Sequence, residues 1–279
     1  MNIIHAILLG IIQGLTEFLP VSSSGHLVLF QKIFGISEPA LLFDTMLHAG
    51  TLAAVVVVLW KDIWAILRKL IQPLTAYLII ATVPTVIAAL VFRKPLERAF
   101  ETGRYLGFAF LATAALLAGA EILAKRAAAS GNAAKIAVTT NWLDALVIGV
   151  MQAIAIIPGV SRSGATLSGA LSRRLDRDFA ARFSFLLSIP AILGAVVFQL
   201  KDLVKGSGSE AAAAGANVAG GIGTAAMVAG TLSAAIVGFF AVRLMLKIVR
   251  EKSLWGFAVY TGALGLLVLL DQFVFKLVF

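Results

Sequence analysis

Pro20-Val21-Ser22-Ser23-Ser24-Gly25 interrupts an apolar region that covers about residues 2–35. A second apolar region, about residues 142–174, is interrupted by Pro158-Gly159-Val160-Ser161-Arg162-Ser163-Gly164. Proline and glycine at such positions end a helix, and the serines that follow them can begin another one. Each region is therefore predicted to form two half-helices that are joined by a turn.

The composition of the whole chain is typical of a membrane protein. Of its 279 residues, 60% are hydrophobic and 13% are charged, and the mean hydropathy is +0.99. A soluble protein would need a polar outer shell, which this sequence lacks. Six further windows are long and apolar enough to cross a hydrocarbon layer of about 30 Å: about 42–60, 74–92, 105–124, 180–199, 218–241 and 255–275. The predicted fold class is an all-α integral membrane protein.

Several classes of function are excluded or disfavoured by composition. The chain has no cysteine, which excludes disulfides, thiolate metal sites and cysteine nucleophiles. Its net charge of +9 comes from short clusters of Lys and Arg between apolar spans. Such clusters indicate membrane topology and contact with membrane lipids, so no nucleic-acid partner is expected. The chain carries no Walker loop and no dinucleotide fingerprint, and no organic cofactor is expected.

The two interrupted regions belong to an internal repeat with an offset of 139 residues. Without gaps, Ile4–Gly25 aligns with Leu143–Gly164 and gives seven identities in 22 positions. We predict a single membrane domain, 1–279, with repeats at about 1–139 and 140–279. Each repeat would hold one re-entrant helix pair and three transmembrane helices. Because three crossings are an odd number, the second repeat is predicted to be inverted, and the two turns should meet near the bilayer midplane.

The distribution of Lys and Arg predicts the orientation in the membrane. One side of the predicted topology collects 14 of these residues and the other side 8, with Arg162 left inside the membrane. Lys61, Arg68 and Lys69 belong to the richer side, which the positive-inside rule makes cytoplasmic. The mouth of the first re-entrant pair then faces the opposite side.

Chemistry is expected where the repeats differ. The first repeat supplies a carboxylate, an imidazole and a hydroxyl at positions where the second has apolar residues or a guanidinium; these groups are Glu17, His26, Ser23 and Arg162. Arg binds phosphate oxygens in pairs and keeps its charge, and the helix starts after the turns offer free N–H groups to an anion. A Glu and a His can act as acid and base, and an adjacent Ser as a nucleophile. The predicted ligand is a phosphate group.

Further residues are predicted to line this pocket, through an amide on the same helix face as Glu17, through hydroxyls, or through close backbone approach; they are Gln13, Ser22, Ser24, Gly25, Ser161, Ser163 and Gly164. Each serine could instead serve only in helix packing. Asp44 and His48 lie one helical turn apart and either extend the site or face the interface. Glu121 lies near a span end, where it is expected to reach the interface.

The two turns and their flanks resemble a known family. Gly14-Leu15-Thr16-Glu17-Phe18-Leu19-Pro20-Val21-Ser22-Ser23-Ser24-Gly25-His26 and Pro158–Gly164 are similar to the signature segments of bacterial undecaprenyl-diphosphatases of the bacitracin-resistance type. The resemblance covers essentially the whole chain, including Phe43-Asp44 and His48-Ala49-Gly50-Thr51. It implies a phosphatase of the bacterial inner membrane that removes the terminal phosphate of undecaprenyl diphosphate. That reaction recycles the lipid carrier for peptidoglycan synthesis and confers bacitracin resistance.

The same resemblance implies roles for single residues. Glu17 matches the second acidic position of the family, His26 its histidine, Ser23 the proposed nucleophile and Arg162 the phosphate-binding arginine. Gln13 stands where many members carry a glutamate, so a charged role for that position is not expected here. Attack by Ser23, activated by His26 or Glu17, and attack by an activated water are both open.

Three more properties follow from the resemblance alone. It implies interlocking inverted repeats with a site open to the periplasm, assistance by a divalent cation such as Mg²⁺ or Ca²⁺, and members that can form homodimers. The rival class is a lipid or anion transporter or flippase, because inverted repeats with broken helices at the midplane are common in secondary transporters.

Overall fold

The computed structural model describes residues 1–36, 41–92, 103, 105–131, 133–206 and 222–279, with side chains left out at 41 and 200–206. Within these ranges the chain forms helices and no strand, which confirms the all-α class. The helices are α1 (Ile3–Thr16), α2 (Ser23–Ile33), α3 (Leu41–Val58), α4 (Trp60–Arg68), α5 (Pro73–Val91), α6 (Leu106–Ala129), α7 (Trp142–Ile154), α8 (Arg162–Ser172), α9 (Arg177–Gly206), α10 (Thr224–Glu251) and α11 (Trp255–Leu270), followed by a π-helical turn, Asp271–Phe275.

Five described helices are long and apolar enough to cross a membrane: α5, α6, α9, α10, and α11 together with its π-helical turn. Helices α3 and α4 are bent by 74° at Leu59, and as one bent pair they would make a sixth. The predicted span 218–241 begins outside the described residues, and its helix continues to Glu251. The extension has a packing reason, because Val242, Met245 and Val249 continue a buried apolar face at helical spacing.

Both predicted breaks are present, and their helices begin 139 residues apart. Helix α1 begins at Ile3 and α7 at Trp142, while α2 begins at Ser23 and α8 at Arg162. The turns end in the same cap: Ser22 accepts a hydrogen bond from the Gly25 amide at 3.2 Å, and Ser161 accepts one from the Gly164 amide at 3.1 Å. The inverted orientation of the repeats stays a prediction.

The beginnings of α1 and α7 also correspond. The side chains of Asn2 and Asn141 cap the two helices, accepting hydrogen bonds from the amides of His5 and Asp144. His5 stacks on Phe34 with ring centroids 4.9 Å apart. At the equivalent positions Asp144 forms an ion pair with Arg173 at 2.8 Å. In each half, the start of the first helix of the broken pair thus contacts the end of the second helix. The contact is a ring stack in the first half and an ion pair in the second.

The first helix of each broken pair packs against a long apolar helix from the other half of the chain. Helix α1 packs on α10, and α7 packs on α5, so the two contacts are equivalent with the halves exchanged. Aligned glycines allow both approaches: a Cβ on Gly10 would collide with the backbone of Gly230, and one on Gly149 would collide with the backbone of Ala81. Small residues at such crossings let helix backbones come close together within a membrane.

Glu121 does not reach the interface, so that expectation was wrong. The side chain is fully buried, and Arg177 at the start of α9 donates to both carboxylate oxygens at 2.8 Å. The amide of Leu254, just before α11, donates to the same carboxylate at 2.7 Å. A span-end carboxylate therefore ties three helices together, because a paired and hydrogen-bonded charge can be buried without a large penalty.

The close approach of α1 and α10 yields a stability prediction. Gly10→Ala should lower the free energy of unfolding by about 1–3 kcal/mol, because the new methyl group forces the helices apart. Gly119→Ala on α6 is the matched control, since a Cβ there meets no atom within 4 Å. Thermal unfolding of purified protein in detergent measures both. An equal response of the two variants would contradict the packing described.

Candidate active site

Glu17 is the centre of a hydrogen-bonded cluster at the first turn. It follows the last residue of α1 and is 6% exposed. Its Oε2 atom accepts hydrogen bonds from Gln13 Nε2 at 2.9 Å and from Ser23 Oγ at 2.6 Å. The end of α1 and the start of α2 are therefore joined through one carboxylate.

Arg162 brings the second turn to this carboxylate. It is the first residue of α8, and its Nη2 atom lies 2.5 Å from Glu17 Oε1. Its Nη1 atom is buried and has no hydrogen-bond partner among the described residues. A buried donor without a partner costs free energy. This nitrogen is therefore a free donor beside Glu17 and Ser23, suited to an anionic oxygen.

Serines connect the two turns in addition to the ion pair. Ser163 Oγ donates to the carbonyl of Leu19 at 2.9 Å, and the amide of Gly159 donates to Ser24 Oγ at 3.4 Å. Residues 145 positions apart, Glu17 and Arg162, are thus held in one place by contacts on either side of them. The structure brings the sequence-predicted hydroxyls of both turns to one region.

His26 has other partners than Ser23. It is 3% exposed, and its Nδ1 atom lies 2.7 Å from the carbonyl oxygen of Ser22. A carbonyl can only accept, so Nδ1 carries a proton. The Nε2 atom lies 2.8 Å from the hydroxyl of Tyr260, whose ring stacks on the imidazole. Of the two activating groups considered for Ser23, the one in hydrogen-bond contact with it is Glu17.

The side chain of His48 adjoins the site, whereas the side chain of Asp44 contacts another helix. His48 Nε2 lies 3.7 Å from Glu17 Oε2, so this side chain adjoins the site. Its Nδ1 atom is 2.8 Å from the Asp44 carbonyl oxygen. The carboxylate of Asp44 instead accepts a hydrogen bond from Gln31 at 2.8 Å and joins α3 to α2.

Sequence reasoning missed two residues of the site's surroundings. Tyr260 on α11 holds His26, and Thr113 on α6 accepts a hydrogen bond from the Ser161 amide at 3.0 Å. A tyrosine inside an apolar span is a usable signal, since a buried Tyr hydroxyl needs a polar partner. Thr113 gives no such signal, because threonine within a transmembrane helix commonly bonds only to its own helix, as this one also does with Ala109.

The two predicted ligand-facing glycines lie against protein. A Cβ on Gly25 would meet the ring of Phe110 at 2.7 Å, and one on Gly164 would meet the side chain of Ser161 at 3.1 Å. In this structure their small size serves the packing of the turns on α6 and on the capping serine. Gln13 is fully buried, and its Oε1 atom has no described partner.

A resident metal ion does not fit the residues of this site. The described residues contain no group of three or more His, Asp or Glu side chains that could hold one. The single carboxylate at the centre, Glu17, is already engaged by a guanidinium, a hydroxyl and an amide. Protein sites for Mg²⁺ or Ca²⁺ use several oxygen ligands, among them free carboxylates. We therefore assign no residue here as a metal ligand.

Fold and site together define an all-helical, multi-pass membrane protein with a carboxylate, a guanidinium and a serine hydroxyl in contact at the meeting of two broken helices. The chain belongs to the family of bacitracin resistance protein BacA, whose model it matches over residues 6–267.

Relatives with similar sequences span nearly the full length. The chain is 45% identical over 272 residues to the undecaprenyl-diphosphatase of Carboxydothermus hydrogenoformans, covering 98% of each protein. It is 41% identical over 273 residues to undecaprenyl-diphosphatase 3 of Bacillus cereus, again covering 98% of each. The undecaprenyl-diphosphatase of Halothermothrix orenii is 39% identical over 272 residues.

The buried ion pair predicts strong coupling between two variants. Glu17→Gln and Arg162→Gln should each cost about 3–5 kcal/mol of unfolding free energy, because each leaves one buried charge unpaired. The double variant removes both charges and should cost clearly less than the sum. Thermal unfolding of the four proteins gives the coupling energy. The exposed pair Arg250 and Glu251 is the control, for which coupling of about 0–1 kcal/mol is expected; equal coupling in both pairs would contradict burial of the first.

Proposed function

We propose that this protein hydrolyses the terminal phosphate of undecaprenyl diphosphate, giving undecaprenyl phosphate and inorganic phosphate. The observation that carries the proposal is the 2.6 Å hydrogen bond from Ser23 to Glu17 beside the free Nη1 donor of Arg162. The names of the relatives supply the substrate. The reaction recycles the lipid carrier for peptidoglycan synthesis and would confer bacitracin resistance by consuming the diphosphate that the antibiotic sequesters.

The first step is attack by Ser23. Its Oγ atom forms a bond to the terminal phosphorus while the bond from that phosphorus to the bridging oxygen breaks, and undecaprenyl phosphate leaves. Glu17 accepts the serine proton through the contact already present. Arg162 donates to the phosphate oxygens and stabilises the charge that they share in the transition state, with the start of α8 adding backbone N–H groups.

The second step is hydrolysis of the phosphoserine. A water molecule attacks the same phosphorus while the bond from that phosphorus to the Ser23 oxygen breaks, and Glu17 returns its proton to the serine. One water proton stays on the inorganic phosphate that is released, and the other passes to solvent. In this scheme His26 positions the turn through Ser22 and Tyr260 and does not take the serine proton. Direct attack by a water that Glu17 activates is the alternative, and it forms no phosphoserine.

The remaining expectations enter as parts of the proposal. The chain would lie in the bacterial inner membrane with the site open to the periplasm, as the Lys and Arg distribution favours. A divalent cation, Mg²⁺ or Ca²⁺, would bind through the diphosphate oxygens of the substrate and neutralise part of their charge. The two repeats would form one membrane domain with inverted topology, and two copies of the chain could pair as a homodimer.

Substitution of the nucleophile gives the sharpest test of the reaction. Ser23→Ala should reduce phosphate release from a polyprenyl diphosphate by at least about a hundredfold, since it removes the attacking oxygen. Ser172→Ala is the matched control, because within the described residues the hydroxyl of Ser172 bonds to the carbonyl of Gly169 in its own helix and to no residue of the site. A phosphate release assay with detergent-purified protein measures both, and acid quenching with a labelled substrate detects the phosphoserine. Substantial activity in Ser23→Ala without any trapped phosphoenzyme would favour activated water.

Variants at Arg162 separate a phosphatase from a transporter. Arg162→Ala should abolish phosphate release, and Arg162→Lys should restore only part of it, because Lys cannot bind two phosphate oxygens with a planar fork. Each assay is run with and without a chelator, and loss of activity with the chelator would reveal a need for a cation. If wild type releases no phosphate with any cation, flux of polyprenyl phosphate across vesicles becomes the decisive measurement, and a positive flux would establish the transporter class.

A further inference from the structure

Helix α4 follows α3 but is not needed for the chain to cross the membrane. Helix α3 has 18 residues, and at 1.5 Å per residue it is about 27 Å long, close to the thickness of the hydrocarbon layer. The chain then bends by 74°, forms the nine residues of α4 and returns into the next span at Pro73. If α3 crosses this layer, α4 begins where the layer ends, and the bend turns α4 towards the plane of the membrane.

The surface of α4 has an apolar stripe that the described part of the chain leaves about half exposed. Trp60, Trp64 and Leu67 follow one another at helical spacing and are 51%, 44% and 52% exposed. The two indole rings stack at 5.8 Å. Ile63 and Ile66, which flank this stripe on one side, are partly buried and pack against the core. Tryptophan is enriched at membrane interfaces because its ring is apolar and its N–H is polar.

Cations lie beside this stripe, and no acid among the described residues neutralises them. No described carboxylate lies within ion-pair distance of Lys61, Arg68 or Lys69. The acid of the helix, Asp62, is paired with Arg182 at 3.1 Å. The guanidinium of Arg68 lies over the Trp64 ring, 5.1 Å from its centroid. The free charges and the apolar stripe together are typical of an amphipathic helix at a lipid surface.

We propose that α4 lies in the headgroup layer of the membrane and binds anionic phospholipid through Lys61, Arg68 and Lys69. Trp60, Trp64 and Leu67 enter the upper part of the acyl chains, and the three cations contact lipid phosphates. The proposal depends on the bend, the exposed stripe and the free charges, and it holds whether or not the protein is a phosphatase. It also makes this side of the protein the one that faces the leaflet rich in anionic lipid.

Fluorescence quenching by brominated lipids tests the proposal at α4 itself. In a Trp142→Phe/Trp255→Phe variant, the tryptophan fluorescence comes from Trp60 and Trp64 alone. The protein in mixed micelles is titrated with phosphatidylglycerol or phosphatidylcholine brominated near the headgroup end of the acyl chains. Near an anionic surface each Lys or Arg strengthens binding by about fivefold. Half-quenching is therefore expected at a concentration of phosphatidylglycerol at least tenfold lower than that of phosphatidylcholine.

A matched pair of triple variants identifies the cations responsible. Lys61→Ala/Arg68→Ala/Lys69→Ala should bring the two lipids to within about twofold of each other, whereas Lys125→Ala/Arg126→Ala/Lys252→Ala, which removes three exposed cations elsewhere, should keep the difference. Thermal unfolding in detergent confirms that all variants are folded. Any of four results would overturn the proposal. Two concern the charges: equal quenching by the two lipids in the parent protein, or equal losses in both triple variants. Two concern the position of α4: stronger quenching by deeply brominated lipid, or no quenching because a second copy covers α4.

Discussion

The contact between Glu17 and Arg162 is the interaction on which the candidate site depends. A lone carboxylate or guanidinium is costly at membrane depth, and each becomes acceptable here because the other neutralises it. The pair joins the first re-entrant helix pair to the second, and the serines around it repeat that connection. If Arg162 also serves the phosphate oxygens, as proposed, stability and chemistry make opposing demands on this one contact.

The free Nη1 atom of Arg162 shows how both demands can be met. One nitrogen of the guanidinium holds Glu17 in place, and the other has no described partner. An incoming phosphate can thus gain a donor before the existing contact is disturbed. Its negative charge would then compete with Glu17 for the same cation.

Much of this could be predicted from the sequence, and the exceptions have identifiable causes. Length and hydropathy predict helices and spans well, and the aligned motifs bring Glu17 together with Arg162. The neighbours of His26 could not be predicted, because Tyr260 is 234 residues away and follows no motif. The burial of Glu121 was also hidden, since position near a span end does not reveal a partner such as Arg177 on another helix. The span predicted at 42–60 ends at the bend because Lys61 and Asp62 follow it, but composition does not reveal that the next helix turns by 74°.

Ser23 and Arg162 occupy equivalent positions of the alignment, and this equivalence has a consequence for ancestry. A pair of identical half-length subunits would place either two serines or two arginines at the meeting of the turns. A serine and an arginine can both contact one carboxylate here only after the symmetry is broken, and fusion into one chain allows each half to mutate separately. A second pair of equivalent contacts also differs between the halves, as divergence after duplication would produce. The first half has a ring stack of His5 on Phe34, and the second has an ion pair of Asp144 with Arg173. On this view the asymmetry of the site is a product of gene fusion.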